Sequence, residues 1–212
     1  AYSRYHDAHP PSFTPIAGSH FPYNFATALN GILLVSLDAT KAGPLDNKQM
    51  EWLLRQLCGP QAYKAKIAFG HLPLQPIAYG RQSDVIQDAA LEALLVAGVV
   101  SAYLSGHHHA YYPGRRVGID MLSMGNLGGN QRRLLGTTMT TGFSFALLQI
   151  DSTGTVQIGA FRGPDFVEPV DINALPQHLG EGNKRLTRKD VAPASTNASA
   201  NLTCEPSDSE NY

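Results

Sequence analysis

Three consecutive histidines, His107, His108 and His109, stand in the stretch YLSGHHHAYYPG of a chain that has only eight. An imidazole can exchange a proton near neutral pH, and in its neutral form it ligates zinc, iron, manganese or nickel. A fourth histidine shares the local pattern. His71 and His107 each follow a glycine that closes a short apolar run, in KAKIAFGH and VVSAYLSGH. One Gly-His at the end of such a run reads most simply as a turn or a packed residue. Two of them, on either side of one helical stretch, point to a shared crevice, because open parallel sheets bind ligands beyond the carboxyl ends of their strands. If the backbone past Gly106 is extended, His107 and His109 face the same way and His108 faces away. Converging imidazoles from His71, His107 and His109 would then make half of a metal site.

The elements that must position these residues alternate. FPYNFATALNGILLVSLDAT predicts two strands with a turn at Asn30-Gly31, a strong hairpin signal. The second run, Ile32 to Leu37, is continuously apolar and suits a strand buried on both faces. LDNKQMEWLLRQLCGP predicts a helix capped by Asp46, with Gln49 three residues on as in a capping box. Its apolar face would be Met50, Leu53, Leu54 and Leu57, and Gly59-Pro60 would stop it. SDVIQDAALEALLVAG predicts a second helix, capped by Ser83 or Asp84 and closed by Gly98. The middle of the chain therefore reads strand, helix, strand, helix, strand, the signature of a helix-flanked parallel sheet. Beyond Val117 the helices stop, and RVGIDMLSMGN, GFSFALLQID and GTVQIGAFRG read as consecutive strands of a second, mixed or antiparallel sheet.

The 212 residues suit one domain, here 1–176, with a polar linker or disordered tail over 177–212. A net charge of -1 gives no nucleic-acid-binding signature, and no apolar run is long enough for a membrane segment. The two cysteines, Cys58 at a helix end and Cys204 in the tail, make no disulfide framework and leave the redox compartment open. No leader peptide is visible after Ala1. The tail carries Asn-x-Ser/Thr sequons at Asn197 and Asn201, which fit an extracytoplasmic or secreted protein. Oligomeric state is not legible.

The order SLDAT, DNKQMEWLLRQL, IAFGHLPL, YLSGHHHAYYPG, IDMLSMGNLGG resembles the C-terminal part of the calcineurin-like metallophosphoesterases, the family that includes purple acid phosphatases. GHLP and GHHH match that family's last two blocks, and the resemblance spans roughly residues 20 to 160. It implies an α/β fold of two packed mixed β-sheets flanked by helices, four layers α/β/β/α, with the N-terminal half absent. The family's first three blocks have no counterpart here. Asp7 and His9, in DAH, and Asn126, in GNL, carry the right letters in the wrong context and read as loop and turn residues. The chain is thus expected to begin after the third block.

The resemblance implies metal-dependent hydrolysis of a phosphoester, with His71, His107 and His109 as ligands to two metal ions, Fe, Zn or Mn, that activate a water. No catalytic acid or base is assigned. His108, Asp38 and Tyr111 are candidates for contacts behind the ligands or with substrate, each with a plainer alternative: an exposed ring, a turn cap and a packed strand residue. Arg132 and Arg133, after a glycine-rich loop, could meet a phosphate or simply be solvated. Without a bridging carboxylate the isolated chain is expected to be nearly inactive. A non-catalytic module that keeps the fold is the main alternative, and a single-zinc hydrolase a lesser one.

Overall fold

The computed structural model describes residues 10–192 and residue 204. Its first regular feature is the expected hairpin. Strands β1 (Phe25–Leu29) and β2 (Ile32–Ser36) pair antiparallel with Leu29 opposite Ile32. Asn30 and Gly31 between them both adopt left-handed φ, 51° and 78°. That is the two-residue turn whose twist matches the strands it joins. From β2 the chain crosses through helix α1 (Asn47–Leu57) to β3 (Ala65–Gly70), then through α2 (Ala89–Ala97) to β4 (Ala102–Ser105). Strands β2, β3 and β4 run parallel side by side. A hairpin of β5 (Tyr112–Arg116) and β6 (Ile119–Ser123) follows, with β6 parallel to β4.

Three further strands, β7 (Ser144–Ile150), β8 (Val156–Arg162) and β9 (Glu168–Pro169), form an antiparallel sheet of their own. The last two, β10 (His178–Leu179) and β11 (Leu186–Arg188), return to the large sheet. Its eight strands are ordered β1-β2-β3-β4-β6-β5-β11-β10. Two sheets, the larger one mixed and crossed by helices, make this an α/β fold. No described helix is long and apolar enough to cross a membrane.

Strand alternation explains the layering. Leu33, Val35, Ala68 and Tyr103 point to one face and join Trp52, Leu53, Leu57, Leu91 and Leu95 in the main core. Ile67 and Ala102 point to the other face and meet Val156, with Ile32, Leu34, Leu104, Leu148 and Ile158 around them. Full burial of each leucine-sized chain contributes about 1.5–3 kcal/mol. The small sheet covers only part of its face, so Ile32 and Leu34 are half-buried, and β2 is not the strand buried on both faces that its apolar run suggested.

Several local expectations change for identifiable reasons. Asp46 does cap α1, accepting from the Gln49 amide at 3.0 Å. The Gln49 side chain does not reach back to complete a box. It binds the Asp38 amide at 2.7 Å and the Asp38 carbonyl at 3.2 Å, fixing the chain as it leaves β2. Trp52 takes the core place expected of Leu54, which is 45% exposed. The second helix starts four or five residues later than read, because Asp88, not Ser83 or Asp84, accepts from the Ala90 and Leu91 amides.

The polar stretch after 176 is also more than linker. Arg188, 4% exposed, binds the carbonyls of Ile172 and Leu175 and forks onto Asp190 through Nε and Nη2. Lys189 joins Arg115 on the buried Asp120 and also donates to the Val156 carbonyl at 2.6 Å, tying the two sheets together. Cys204 forms a disulfide with Cys58 at the end of α1, which corrects the reading that these two cysteines make no disulfide framework. A separation of 146 residues leaves no local spacing from which that pairing could be read. The sequons at 197 and 201, and Asp7 and His9, lie outside the described residues.

Candidate functional site

Residues follow β3 and β4 into one crevice at the carboxyl edge of the parallel strands. Gly70 and Ser105 are partners in register, so the segments that continue past them leave the sheet side by side. Gly70 has a packing reason to be glycine. A Cβ there would come within 2.7 Å of the Tyr103 hydroxyl and 2.8 Å of Ala39 Cβ. Past Gly106 the chain is not extended. His107 and His109 both take left-handed φ, 59° and 48°. Such values are uncommon for residues with a Cβ and hold only where surroundings impose them.

The surroundings are hydrogen bonds to the three histidines. His108 is fully buried. Its Nδ1 accepts the backbone amides of Ile77 and Ala78, each at 3.2 Å, and its Nε2–H donates to the Asp84 carbonyl at 3.0 Å. Burial pushes its pKa down to about 4, against a smaller upward pull from that carbonyl. A neutral ring with one donor and one acceptor satisfies all three backbone groups, so His108 locks the loop after β3 to the loop after β4.

His107 and His71 face each other on the open side of that lock. His71 Nε2 and His107 Nδ1 lie 2.9 Å apart, with ring planes at 75°. His107 Nε2 is 3.2 Å from Asp84 Oδ2. Asp84 in turn takes Arg81 Nη1 at 2.7 Å, and these two partners, the arginine foremost, hold its carboxyl down to about 2. A carboxylate this firmly ionised orients the His107 ring by accepting its Nε2–H, which leaves Nδ1 as the lone pair toward His71. Partial burial, then the charges of His107 and His109, lower the pKa of His71, favouring its neutral form.

His109 stands further along the same rim. Its Nδ1 donates to the Asn130 carbonyl at 2.9 Å, on the glycine-rich loop after β6. The three expected ligands thus share one electrostatic neighbourhood, with His71 and His107 in direct contact. Among the described residues, no group of three or more His, Cys, Asp or Glu side chains is gathered to hold a metal ion.

The other candidates fall elsewhere. Asp38 is exposed, accepts the Thr40 hydroxyl at 3.1 Å, and lines a cavity of about 400 Å³ between residues 18–24 and α1. Tyr111 is buried in the core, where burial raises its hydroxyl to about 12. Asn126 donates to the Gly128 carbonyl at 2.7 Å as a turn residue. Arg132 lies half-buried, and Arg133 lies over the Tyr79 ring at 4.7 Å. Asp84 is the site residue that sequence reading assigned only to a helix cap. The available signal was Arg81 three residues before it, an i,i+3 pair in a stretch that does not become helical.

No protein-family model matches the chain, and no curated protein matches it significantly. Solved structures do. A purple acid phosphatase from yellow lupin (Lupinus luteus) seeds superposes with a TM-score of 0.55 at 16% identity, over 71% of this chain and 32% of that one. The chain therefore spans about a third of that enzyme's length. GAP50, the anchor in the inner membrane complex of Plasmodium, matches at a TM-score of 0.39 and 13% identity, over 71% of this chain and 46% of that one. The sulfate thiohydrolase SoxB of Thermus thermophilus matches at 0.34 and 17%, over 74% and 26%. At these identities the likeness to the lupin enzyme is one of fold, and the two lower scores carry no further weight.

Proposed function

We propose that this chain supplies the histidine wall of a site for metal-dependent hydrolysis of phosphoesters. One observation carries the proposal. Two imidazoles from adjacent parallel strand ends bring nitrogens to 2.9 Å, and one of them is steered from behind by a carboxylate. Carboxylate–histidine pairs of this kind set ring orientation and basicity in metal sites. Neutral nitrogen donors on His71 and His107 fit one ion of the zinc, manganese or iron type. His109, one residue beyond the His108 lock, would complete or flank that set. Such an ion supplies Lewis acidity toward a phosphoryl oxygen.

A pair of ions needs a bridging carboxylate, and Asp84, the carboxylate beside His107, is already taken up by Arg81 and the His107 ring. The fit is therefore to a single ion. The chain's own part is to hold His71 and His107 in place through His108 and to keep Asp84 ionised through Arg81. The Cys58–Cys204 disulfide supports an oxidising, extracytoplasmic location as part of the same proposal.

Calorimetric titration of the chain with zinc and manganese tests the proposal. One ion should bind per chain, and His71→Ala and His107→Ala should each abolish binding. Phosphoester hydrolysis by the protein that contains this chain should be chelator-sensitive. It should fall in His107→Ala by at least the roughly 10–100-fold that outer partners of metal ligands cause. Absence of metal binding and of turnover would leave a non-catalytic module with this fold, and turnover indifferent to His107→Ala would place the reaction away from these histidines.

A further inference from the structure

We propose that Tyr79 and Arg133 form a seat for a flat aromatic group carried by the phosphoester, so that the histidine site takes aryl esters in preference to small alkyl ones. This rests on the function proposed above. Tyr79 is 57% exposed, and the Arg133 guanidinium lies over its ring at 4.7 Å. An exposed cation–π pair contributes little to folding. The guanidinium covers one face of the tyrosine ring, and more than half of the residue stays exposed.

Backbone hydrogen bonds tie this pair to the segments that hold the histidines. Tyr79 N–H donates to the Arg133 carbonyl at 2.9 Å, Leu135 N–H donates to the Ile77 carbonyl at 2.8 Å, and Ala78 bridges Leu134. Ala78 and Leu134, beneath the pair, are fully buried. The Ile77 and Ala78 amides that hold His108 immediately precede Tyr79. Two residues after Tyr79, Arg81 holds the Asp84 carboxylate that orients His107. The loop that carries Arg133 also carries Asn130, whose carbonyl holds His109. Seat and histidines are thus parts of one hydrogen-bonded framework.

The space is open as well. Gly80 turns the chain with φ at 77°, and a Cβ there would meet nothing within 4 Å. A planar group can stack on the exposed Tyr79 ring. The guanidinium, with donors around a flat edge, offers charge to the anionic end of the same molecule. A saturated alkyl substituent gains the charge contact but not the stacking.

The test is calorimetric binding of phenyl phosphate, methyl phosphate and inorganic phosphate to the zinc-loaded chain and its variants. The expected result is about tenfold tighter binding of phenyl than of methyl phosphate, as ring stacking provides. Tyr79→Ala should bring that ratio near one, and Tyr79→Phe should retain it. Arg133→Gln should weaken both organic esters. A merely structural role for Tyr79 would weaken both esters together and leave their ratio unchanged. Equal binding of the two esters to the unmodified chain, or a ratio untouched by Tyr79→Ala, overturns the seat while leaving the histidine site standing. No binding of any of the three phosphates overturns the proposed function and the seat with it.

Discussion

The crevice beyond β3 and β4 and the far edge formed by β5, β11 and β10 are built from the same kinds of polar residue, used in opposite ways. At the far edge charges are consumed. Arg188 spends its donors on two carbonyls and one carboxylate, and the buried Asp120 is shared by Arg115 and Lys189. At the crevice only His108 is consumed in this manner. His71 and His107 meet at a half-open rim, and the two left-handed histidines depend on loops fastened by His108 and Asn130. Closed polar networks hold a fold in one arrangement. Half-closed ones keep donor atoms available for something else.

The contrast predicts that changes in the closed regions cost stability and spare ion binding, and that changes at the rim do the reverse. The largest effect is expected from the disulfide. Cys58→Ser with Cys204→Ser should lower unfolding free energy by about 5 kcal/mol, the chain-entropy value for a loop of 146 residues, with zinc affinity unchanged. Denaturant melts with and without reductant measure it. Next, Arg188→Ala leaves two buried carbonyls and Asp190 without a partner and should cost about 3 kcal/mol. If zinc affinity fell with it, the two regions would not be separable.

His108 sharpens the comparison because it is a closed residue inside the open region. Its folded pKa of about 4 lies below the value of 6.5 for an unconstrained histidine. As pH falls, the unfolded chain takes the proton first. Stability fully present above pH 6.5 is therefore lost between about 6.5 and 4, by about 3 kcal/mol. A pH series of melts should show this limb, and His108→Gln, less stable at every pH, should not. The smallest stability effect belongs to Asp84→Asn. The loops stay locked by the Asp84 backbone carbonyl, while loss of the orienting charge should weaken zinc binding about 10–100-fold. An Asp84→Asn chain that binds zinc normally would remove the reason for assigning Asp84 to the site.

Much of this contrast was invisible before the loops were placed. The hairpin at Asn30-Gly31, the two helices and the strand ends at Gly70 and Ser105 follow from turn chemistry and hydrophobic period, both local properties. So does the nomination of His71, His107 and His109, because each lies within a few residues of a recognisable strand end. Asp84 was hidden because its partners are Arg81 in a loop and His107, which is 23 residues away. Leu54 was misplaced because periodicity alone ranks leucine with tryptophan, and only the packed face chose Trp52. The short β10 and β11 carry too few apolar residues to show a period.

The sequence by itself determined the alternation of elements, and with it which histidines stand at strand ends. Those features depend on the nearest few residues along the chain. Tertiary structure alone decided that His71 and His107 touch, that His108 turns inward as a lock, and that Cys58 meets Cys204. It likewise placed Arg133 over Tyr79. Each of these joins segments far apart in sequence, and no local preference encodes a contact whose two halves are brought together only by the folding of everything between them.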